Sequence, residues 1–329
     1  MIDTIYIEQE VENHTRVKEI LSRFSHCDVV LCDHYGELFN RKSQNFRIQK
    51  RAPKLILSTK KNKKVLEAPA AYNIGGKNNY YFSHMMNCIY DCRYCFLQGM
   101  YRSANYVLFV NYEEFEQEIL STLKNHHGED VYFFSGYDCD SLALEPVSKF
   151  MEFVVPVFRG LSNAYLELRT KSTQIRYLLD AEPLENIIVA YSLSPINVVS
   201  ALEDKTPSLE KRISALEKLQ NHGWTVGLRF DPVIYHKNFV NTYGEMFKQV
   251  FGRLNVNQIH SVSLGGFRLP LGFYNNIQKL YPESKLFSTS LQTKNDMVAF
   301  EEKKENEVLR FCEKEILSNV SQDKYFPCF

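Results

Sequence analysis

The chain has no net charge: 39 Lys and Arg balance 39 Asp and Glu, so no whole-molecule field recommends a polyanionic partner. No uninterrupted apolar run approaches the roughly 18 residues of a membrane span. The start, Met1-Ile-Asp-Thr-Ile-Tyr-Ile-Glu8, has no basic end followed by an apolar stretch, so no secretory signal is expected. Internal repeats and low-complexity segments are also missing, which argues against solenoids and disordered linkers. These absences suggest a cytoplasmic globular protein. Its 44% hydrophobic and 24% charged content is ordinary for that class.

Eight cysteines are present, and their distribution matters more than their number. Three fall in the run Cys88-Ile-Tyr-Asp-Cys92-Arg-Tyr-Cys95-Phe96, and the rest are scattered. In a chain of this kind a tight cluster is read as metal or cofactor ligands before disulfides. A [4Fe–4S] cluster needs four ligand positions. Three thiolates leave one iron open to a further ligand. The competing reading is a structural zinc or iron–sulfur module in a nucleic-acid-binding protein, with His84 or Cys139 supplying the fourth zinc ligand.

The 329 residues fit one α/β barrel with additions. Residues 1–68 read as an N-terminal α/β appendage, with strands at Thr4–Ile7, Val29–Leu31 and Leu55–Ser58. Between Arg41 and Lys64 that segment carries ten Lys or Arg and no acid. The bland reading is a solvated surface. The sharper one is a phosphate-tracking patch, with Phe46 and Tyr72 as stacking groups. Residues 69–290 alternate strands and helices, which argues for a parallel sheet. The expected strands are Tyr80–Ser83, Val131–Ser135, Ala164–Arg169, Ile187–Ser192, Thr225–Phe230 and His260–Leu264. Helices are expected over Tyr112–Lys124, Leu142–Phe158, Thr173–Leu179, Ser208–Asn221 and Phe239–Phe251. Six units favour a complete or partial barrel. Residues 291–329 read as a C-terminal extension, with a charged helix from Asn295 to Leu317 packed outside the barrel.

In such a barrel the chemistry sits at the C-terminal ends of the strands. These ends carry Ser135-Gly136-Tyr137-Asp138-Cys139-Asp140, Glu167-Leu-Arg169-Thr170-Lys171, Tyr191-Ser192, Arg229 with Asp231, and Gly265-Gly266-Phe267-Arg268. A lone Ser there is usually a cap and a lone Arg a surface ion pair. Convergence of all of them on one rim is the stronger signal.

The cysteine spacing, with Tyr94 just before the last cysteine, resembles the radical S-adenosylmethionine enzymes. The run Cys92-Arg-Tyr94-Cys95-Phe96-Leu97-Gln98 resembles the cluster loop of the spore photoproduct lyase branch. Arg169-Thr-Lys171, Tyr191-Ser192-Leu with Glu203 downstream, and Thr206-Pro-Ser-Leu-Glu-Lys-Arg212 continue the likeness. So do Gly227-Leu-Arg-Phe-Asp-Pro232 and Phe267-Arg268. The resemblance covers about Ile5 to Leu280 and implies a partial (β/α)6 barrel of the TIM type.

It also implies a [4Fe–4S] cluster on Cys88, Cys92 and Cys95, with S-adenosylmethionine cleaved to a 5′-deoxyadenosyl radical. The implied activity is that of a carbon–carbon lyase acting on a thymine photoproduct in ultraviolet-damaged DNA. An external one-electron reductant such as flavodoxin or ferredoxin would drive it. By position, Tyr94, Phe96, Ser135, Gly136, Tyr137, Lys171 and Ser192 match cofactor contacts, and Arg268 the substrate side.

In the lyase a cysteine thiol returns a hydrogen to the product, and two departures bear on that step. Phe96 stands where the lyase has tyrosine, so it has no phenol. The donor cysteine's slot, aligned on Asp140 and the apolar run to Glu145, holds Tyr137, and Cys139 falls two positions late. Tyr94, Tyr137 and Cys139 are therefore the catalytic candidates. Either Cys139 reaches the site from a shifted loop, or Tyr137 takes its role, or the final step or the substrate differs. The plain alternative for Cys139 is an inert buried thiol.

Overall fold

A computed structural model describes residues 2–69 and 72–328. Two sheets organise it. In the first, Thr4–Glu8 lies parallel to Asp28–Cys32 on one side and to Leu55–Ser58 on the other. All four residues of Leu55–Ser58 are buried, as suits a strand covered on both faces. The sheet then takes strands from beyond residue 68: Tyr106–Phe109 pairs parallel with Leu55–Ser58, and Met85–Met86 pairs antiparallel with Tyr106–Phe109. These two strands bracket the cysteine run.

The second sheet holds six parallel strands in chain order: Asn78–Phe82, Val131–Ser135, Ala164–Thr170, Ile187–Ser192, Thr225–Val233 and Ile259–Gly266. Its ladder stays open. Val65–Glu67 adds antiparallel at one edge, and Tyr325–Pro327 adds parallel at the other. The architecture is the expected α/β partial barrel. The seventh parallel strand was not expected. It is short and carries Pro327, which demotes a run from a strand reading except at a sheet edge, where this one lies.

Helices Tyr112–Asn125, Leu209–His222 and Phe239–Arg253 stand where the periodicity puts them. Three expectations need correction. The stretch Leu142–Phe158 is broken into Glu145–Ser148 and Phe150–Arg159, because Lys149 between them adopts the left-handed φ of 49°. Ser148 Oγ then accepts from Phe150 N at 3.3 Å and opens the second piece.

The helix expected over Thr173–Leu179 shortens to Arg176–Asp180. The hydroxyls of Thr170 and Ser172 accept from the backbone N–H groups of Ser172 and Gln174, competing with helical bonds there. The tail is not helical from Asn295. Asn295 and Asp296, both at positive φ, form the two-residue turn of a hairpin between Leu291–Lys294 and Met297–Phe300, and the helix runs Glu302–Leu317. That helix packs outside the barrel, against Phe239–Arg253 and Ile259–Gly266.

His84 is buried between the two sheets' elements, stacked on Phe150 with ring centroids 4.1 Å apart. Burial, reinforced by the Lys60 charge, pushes its imidazole down to about 3, so it is neutral in the fold. The unfolded chain takes up that proton near the ordinary histidine value of about 6.5. Between these values the unfolded state binds more protons. Stability present above about pH 6.5 is therefore lost as pH falls toward about 3, by up to about 1.4 kcal/mol per unit. His84→Phe is expected to flatten this dependence. Urea midpoints at pH 7 and pH 5 should lie closer together in the variant than in the parent chain.

Candidate active site

The cysteine loop is held by groups distant in sequence. Asn87, at φ 72°, donates to Ser103 O at 2.8 Å and Asn105 O at 3.1 Å, and its own Oδ1 accepts from Cys88 N at 3.0 Å. Lys50 Nζ donates to the carbonyls of Cys88 at 2.9 Å and Tyr90 at 3.0 Å, and Lys50 is itself buried. Asp91–Cys92 pairs antiparallel with Glu203–Asp204, and Arg93 N donates to Leu202 O at 2.8 Å. Tyr94 Oη donates to Glu203, whose other oxygen accepts from Arg212. Neither side chain of that ion pair is exposed. Burial raises the Glu203 carboxyl, but the Lys171 and Arg212 charges outweigh it and leave the group lowered. Arg212 Nη1 also donates to Ser192 O at 3.1 Å, so one pair braces both Tyr94 and Ser192.

The loop opens on a cavity of about 430 Å³ at the C-terminal ends of the parallel strands. Cys88, Cys92 and Cys95 line it, and so do Tyr94, Phe96, Gly136, Tyr137, Cys139, Lys171, Ser192 and Arg268. Eleven of the twelve residues singled out from the sequence therefore share one enclosure. Ser135 is the exception. It is buried beneath the lining, its carbonyl accepts from Ser141 Oγ at 2.9 Å, and its hydroxyl has no partner among the described residues. Gly136 turns there at φ 82°, and a Cβ on it would lie 2.6 Å from Ser141 Oγ, so the position requires glycine. Lys171 Nζ sits 5.7 Å from the centre of the Tyr94 ring.

On another wall, Glu167 lies between two guanidiniums, 2.8 Å from Arg229 and 3.1 Å from Arg169. Burial raises its carboxyl, but the two arginines outweigh it and hold the group at about 2. Arg169 reaches the cavity, with its guanidinium 4.6 Å from the Tyr72 ring centre. Arg229 was expected at the rim but is fully buried, donating also to Ser261 O at 3.0 Å. It is a structural clamp.

Three contributors escaped the sequence reading as functional groups. Lys50 looked like one more member of a basic stretch. Asp140 was one polar group of the strand-end set and an alignment mark, with no role of its own, yet it brackets two strand ends: Oδ1 accepts from Leu142 N, Ala143 N and Thr170 Oγ1, and Oδ2 from Lys171 N at 2.7 Å. Cys328, past the short seventh strand, also lines the cavity.

Burial pushes the Cys88 thiol up to about 12 and raises those of Cys92 and Cys95, so they ionise only when a cation takes them. The donor set fits a [4Fe–4S] cluster with one iron left for another ligand. Both oxygens of Asp140 are engaged, and His84 does not line the cavity.

Much of the basic stretch turns inward or pairs. Lys54 meets Asp3, Lys61 meets Glu10 at 2.8 Å, Lys64 meets Glu114 at 2.9 Å, and Arg47 meets Glu283 at 2.9 Å. Phe46 is buried and Tyr72 belongs to the cavity, so neither is a stacking platform on that stretch. Arg41, Lys42, Arg51 and Lys63 remain exposed. No helix among the described residues is long and apolar enough to cross a membrane.

A partial parallel barrel with a three-cysteine loop opening at its C-terminal rim defines the class of radical S-adenosylmethionine enzymes, whose cofactors are a [4Fe–4S] cluster and S-adenosylmethionine. A family model described as spore photoproduct lyase matches residues 1–305. The chain belongs to that family. It is 23% identical over 290 residues to the spore photoproduct lyase of Bacillus subtilis, covering 86% of this chain and 83% of that protein. It is 24% identical over 209 residues to that of Clostridium acetobutylicum, covering 63% of this chain and 62% of the other. A solved spore photoproduct lyase variant with bound AdoMet and dinucleoside spore photoproduct superposes with a TM-score of 0.86 at 15% identity. That match covers 100% of this chain and 98% of the other, and it is a likeness of fold.

Proposed function

We propose that this chain repairs a thymine photoproduct in ultraviolet-damaged DNA, using a [4Fe–4S] cluster on Cys88, Cys92 and Cys95 and S-adenosylmethionine. The observation that carries the reading is the meeting of those thiols, the Gly136 turn, Lys171, Ser192 and Arg268 on one cavity of about 430 Å³. That volume lies within the usual range for small-molecule and cofactor pockets. The solved relative binds AdoMet together with a dinucleoside photoproduct, and two ligands of that kind match a cavity with two chemically distinct walls.

When loaded, the cofactors supply one-electron cleavage of a carbon–sulfur bond and hence abstraction of a hydrogen atom from substrate. The chain's residues hold the partners in register. Tyr94, fixed by Glu203, forms the floor beside the cysteines. The Lys171 ammonium supplies positive charge for a carboxylate, and the backbone at Gly136 and the Ser192 hydroxyl offer polar contacts to an amino acid moiety. Tyr72 and Tyr137 give flat apolar surface that excludes water and stacks against bases. Arg268 at the mouth pairs with the anionic or carbonyl groups of the lesion. Electrons come from an external one-electron protein of the flavodoxin or ferredoxin kind.

The deciding experiment incubates anaerobically reconstituted, reduced protein with S-adenosylmethionine and the dinucleoside photoproduct. Intact thymidines are expected. Release of 5′-deoxyadenosine with the lesion left whole would move the enzyme to another substrate. Arg268→Ala is expected to weaken photoproduct binding about tenfold or more, the worth of one charge-assisted hydrogen bond, as read by titration.

A further inference from the structure

Two thiols other than the cluster-loop cysteines line the cavity, Cys139 and Cys328, and they lie on different walls. Cys139 packs into the apolar cluster of the N-terminal sheet with Met85, Leu108 and Val110. The charges of Cys88, Asp138, Asp140 and Lys60 act on it, at the cysteine-loop end. Cys328 follows the seventh parallel strand, where its N–H donates to Leu264 O at 2.8 Å. Its thiol donates to Phe326 O at 3.8 Å, and the charges of Asp231, Arg169, Arg229 and Arg268 act on it; all of these but Arg229 line the cavity with it. Gly265 permits the approach: a Cβ there would lie 2.9 Å from Asp231 Oδ1 and 3.2 Å from Cys328 O. Cys328 thus holds the kind of position, a strand's C-terminal end at the rim, from which barrel enzymes present reactive groups.

A reaction begun by removing a hydrogen atom from substrate leaves a carbon radical, and a closed-shell product needs a hydrogen atom back. Thiol S–H and phenol O–H bonds are the weak transferable X–H bonds lining this cavity, and carbon radicals take hydrogen from a thiol faster than from the phenols of Tyr72, Tyr94 or Tyr137. The cluster-bound cysteines have none to give, and Cys139 is packed into the apolar cluster of the N-terminal sheet. We propose that Cys328 is the hydrogen-atom donor that quenches the product radical from the Arg268 side of the cavity. The inference rests on the photoproduct reading and names the residue that completes it. The Cys328 S–H bond breaks and a product C–H bond forms, leaving a thiyl radical on sulfur. One electron from the external protein reductant and one proton from water restore the thiol.

The test is run in D2O, where that restoring proton is a deuteron, with the reconstituted holoenzyme, S-adenosylmethionine and the dinucleoside photoproduct. Wild-type thymidine is expected to carry one solvent deuterium. Cys328→Ala and Cys328→Ser should each lower intact thymidine at least 100-fold while 5′-deoxyadenosine still forms, with residual product lacking the label. Product of Cys139→Ala should keep the deuterium. A second readout is independent of turnover: bound dinucleoside photoproduct should slow iodoacetamide alkylation of Cys328 at least fivefold by mass-spectrometric mapping, and leave Cys27 unaffected. Deuterated thymidine from Cys328→Ala at the wild-type rate, loss of the label in Cys139→Ala alone, or unprotected Cys328 would each overturn the assignment. A wild-type enzyme that leaves the lesion whole would instead overturn the photoproduct reading and take the assignment with it.

Discussion

Alanine at Cys88, Cys92 or Cys95, each alone, is expected to remove the cluster and with it all cleavage of S-adenosylmethionine. Two thiolates and a methyl group cannot replace three ligands, and the neighbouring Cys139 thiol is packed into the apolar cluster of the N-terminal sheet. Asp140 already spends both oxygens on backbone and hydroxyl partners, and His84 is stacked on Phe150 away from the cavity. Iron should fall from about four per reconstituted chain to below about one, with the brown colour lost. Release of 5′-deoxyadenosine should fall to background. The fold should survive, because Lys50, Asn87 and the Asp91–Cys92 pairing hold the loop through backbone groups rather than sulfur. A full complement of iron in any of the three variants would refute the ligand assignment. One zinc per colourless wild-type chain would restore the structural reading.

The second large effect is expected at Arg212 and Glu203. Neither side chain is exposed, and removing one partner strands the other charge inside the protein, at a cost of about 3–5 kcal/mol. That is a sizeable part of the roughly 5–15 kcal/mol that holds a domain together. Arg212→Met should lower the urea midpoint accordingly, and Glu203→Met likewise. Function and stability part company in the double variant. Replacing both charges with apolar groups of similar volume removes the stranded ion and should recover most of the lost stability. It cannot recover the acceptor for Tyr94 or the donor to Ser192 O. Binding of S-adenosylmethionine should stay weak in a chain that unfolds near the wild-type midpoint. Recovery of both together would mean that the pair serves packing alone.

How far the molecule was legible depends on where each signal lies. The cysteine spacing is local, and so is the alternation of apolar strands with amphipathic helices, and both were readable. The hairpin turn at Asn295-Asp296 carried a usable sign, two residues suited to positive φ, which the charged run behind it masked. Lys149 gave none, since nothing in a lysine announces a left-handed backbone. Lys50 was hidden for a different reason. Its role arises from carbonyls some forty positions away, and within a run of cations it is indistinguishable from its exposed neighbours. Arg229 sat at the expected strand end, but strand alternation turned it inward to Glu167 and Ser261. Pairings across the barrel decide such cases, and a linear reading does not contain them.

The first sheet draws Thr4–Glu8, Asp28–Cys32 and Leu55–Ser58 from one end of the chain and its remaining strands from either side of the cysteine run. Excising the first 68 residues would therefore do more than shed an ornament. It would leave Tyr106–Phe109 with a naked row of amides where Leu55–Ser58 had been, an invitation to edge-to-edge association. The loop meant to cradle iron would lose Lys50 in the same cut, and a shortened protein of this kind should be sought in the pellet rather than the supernatant.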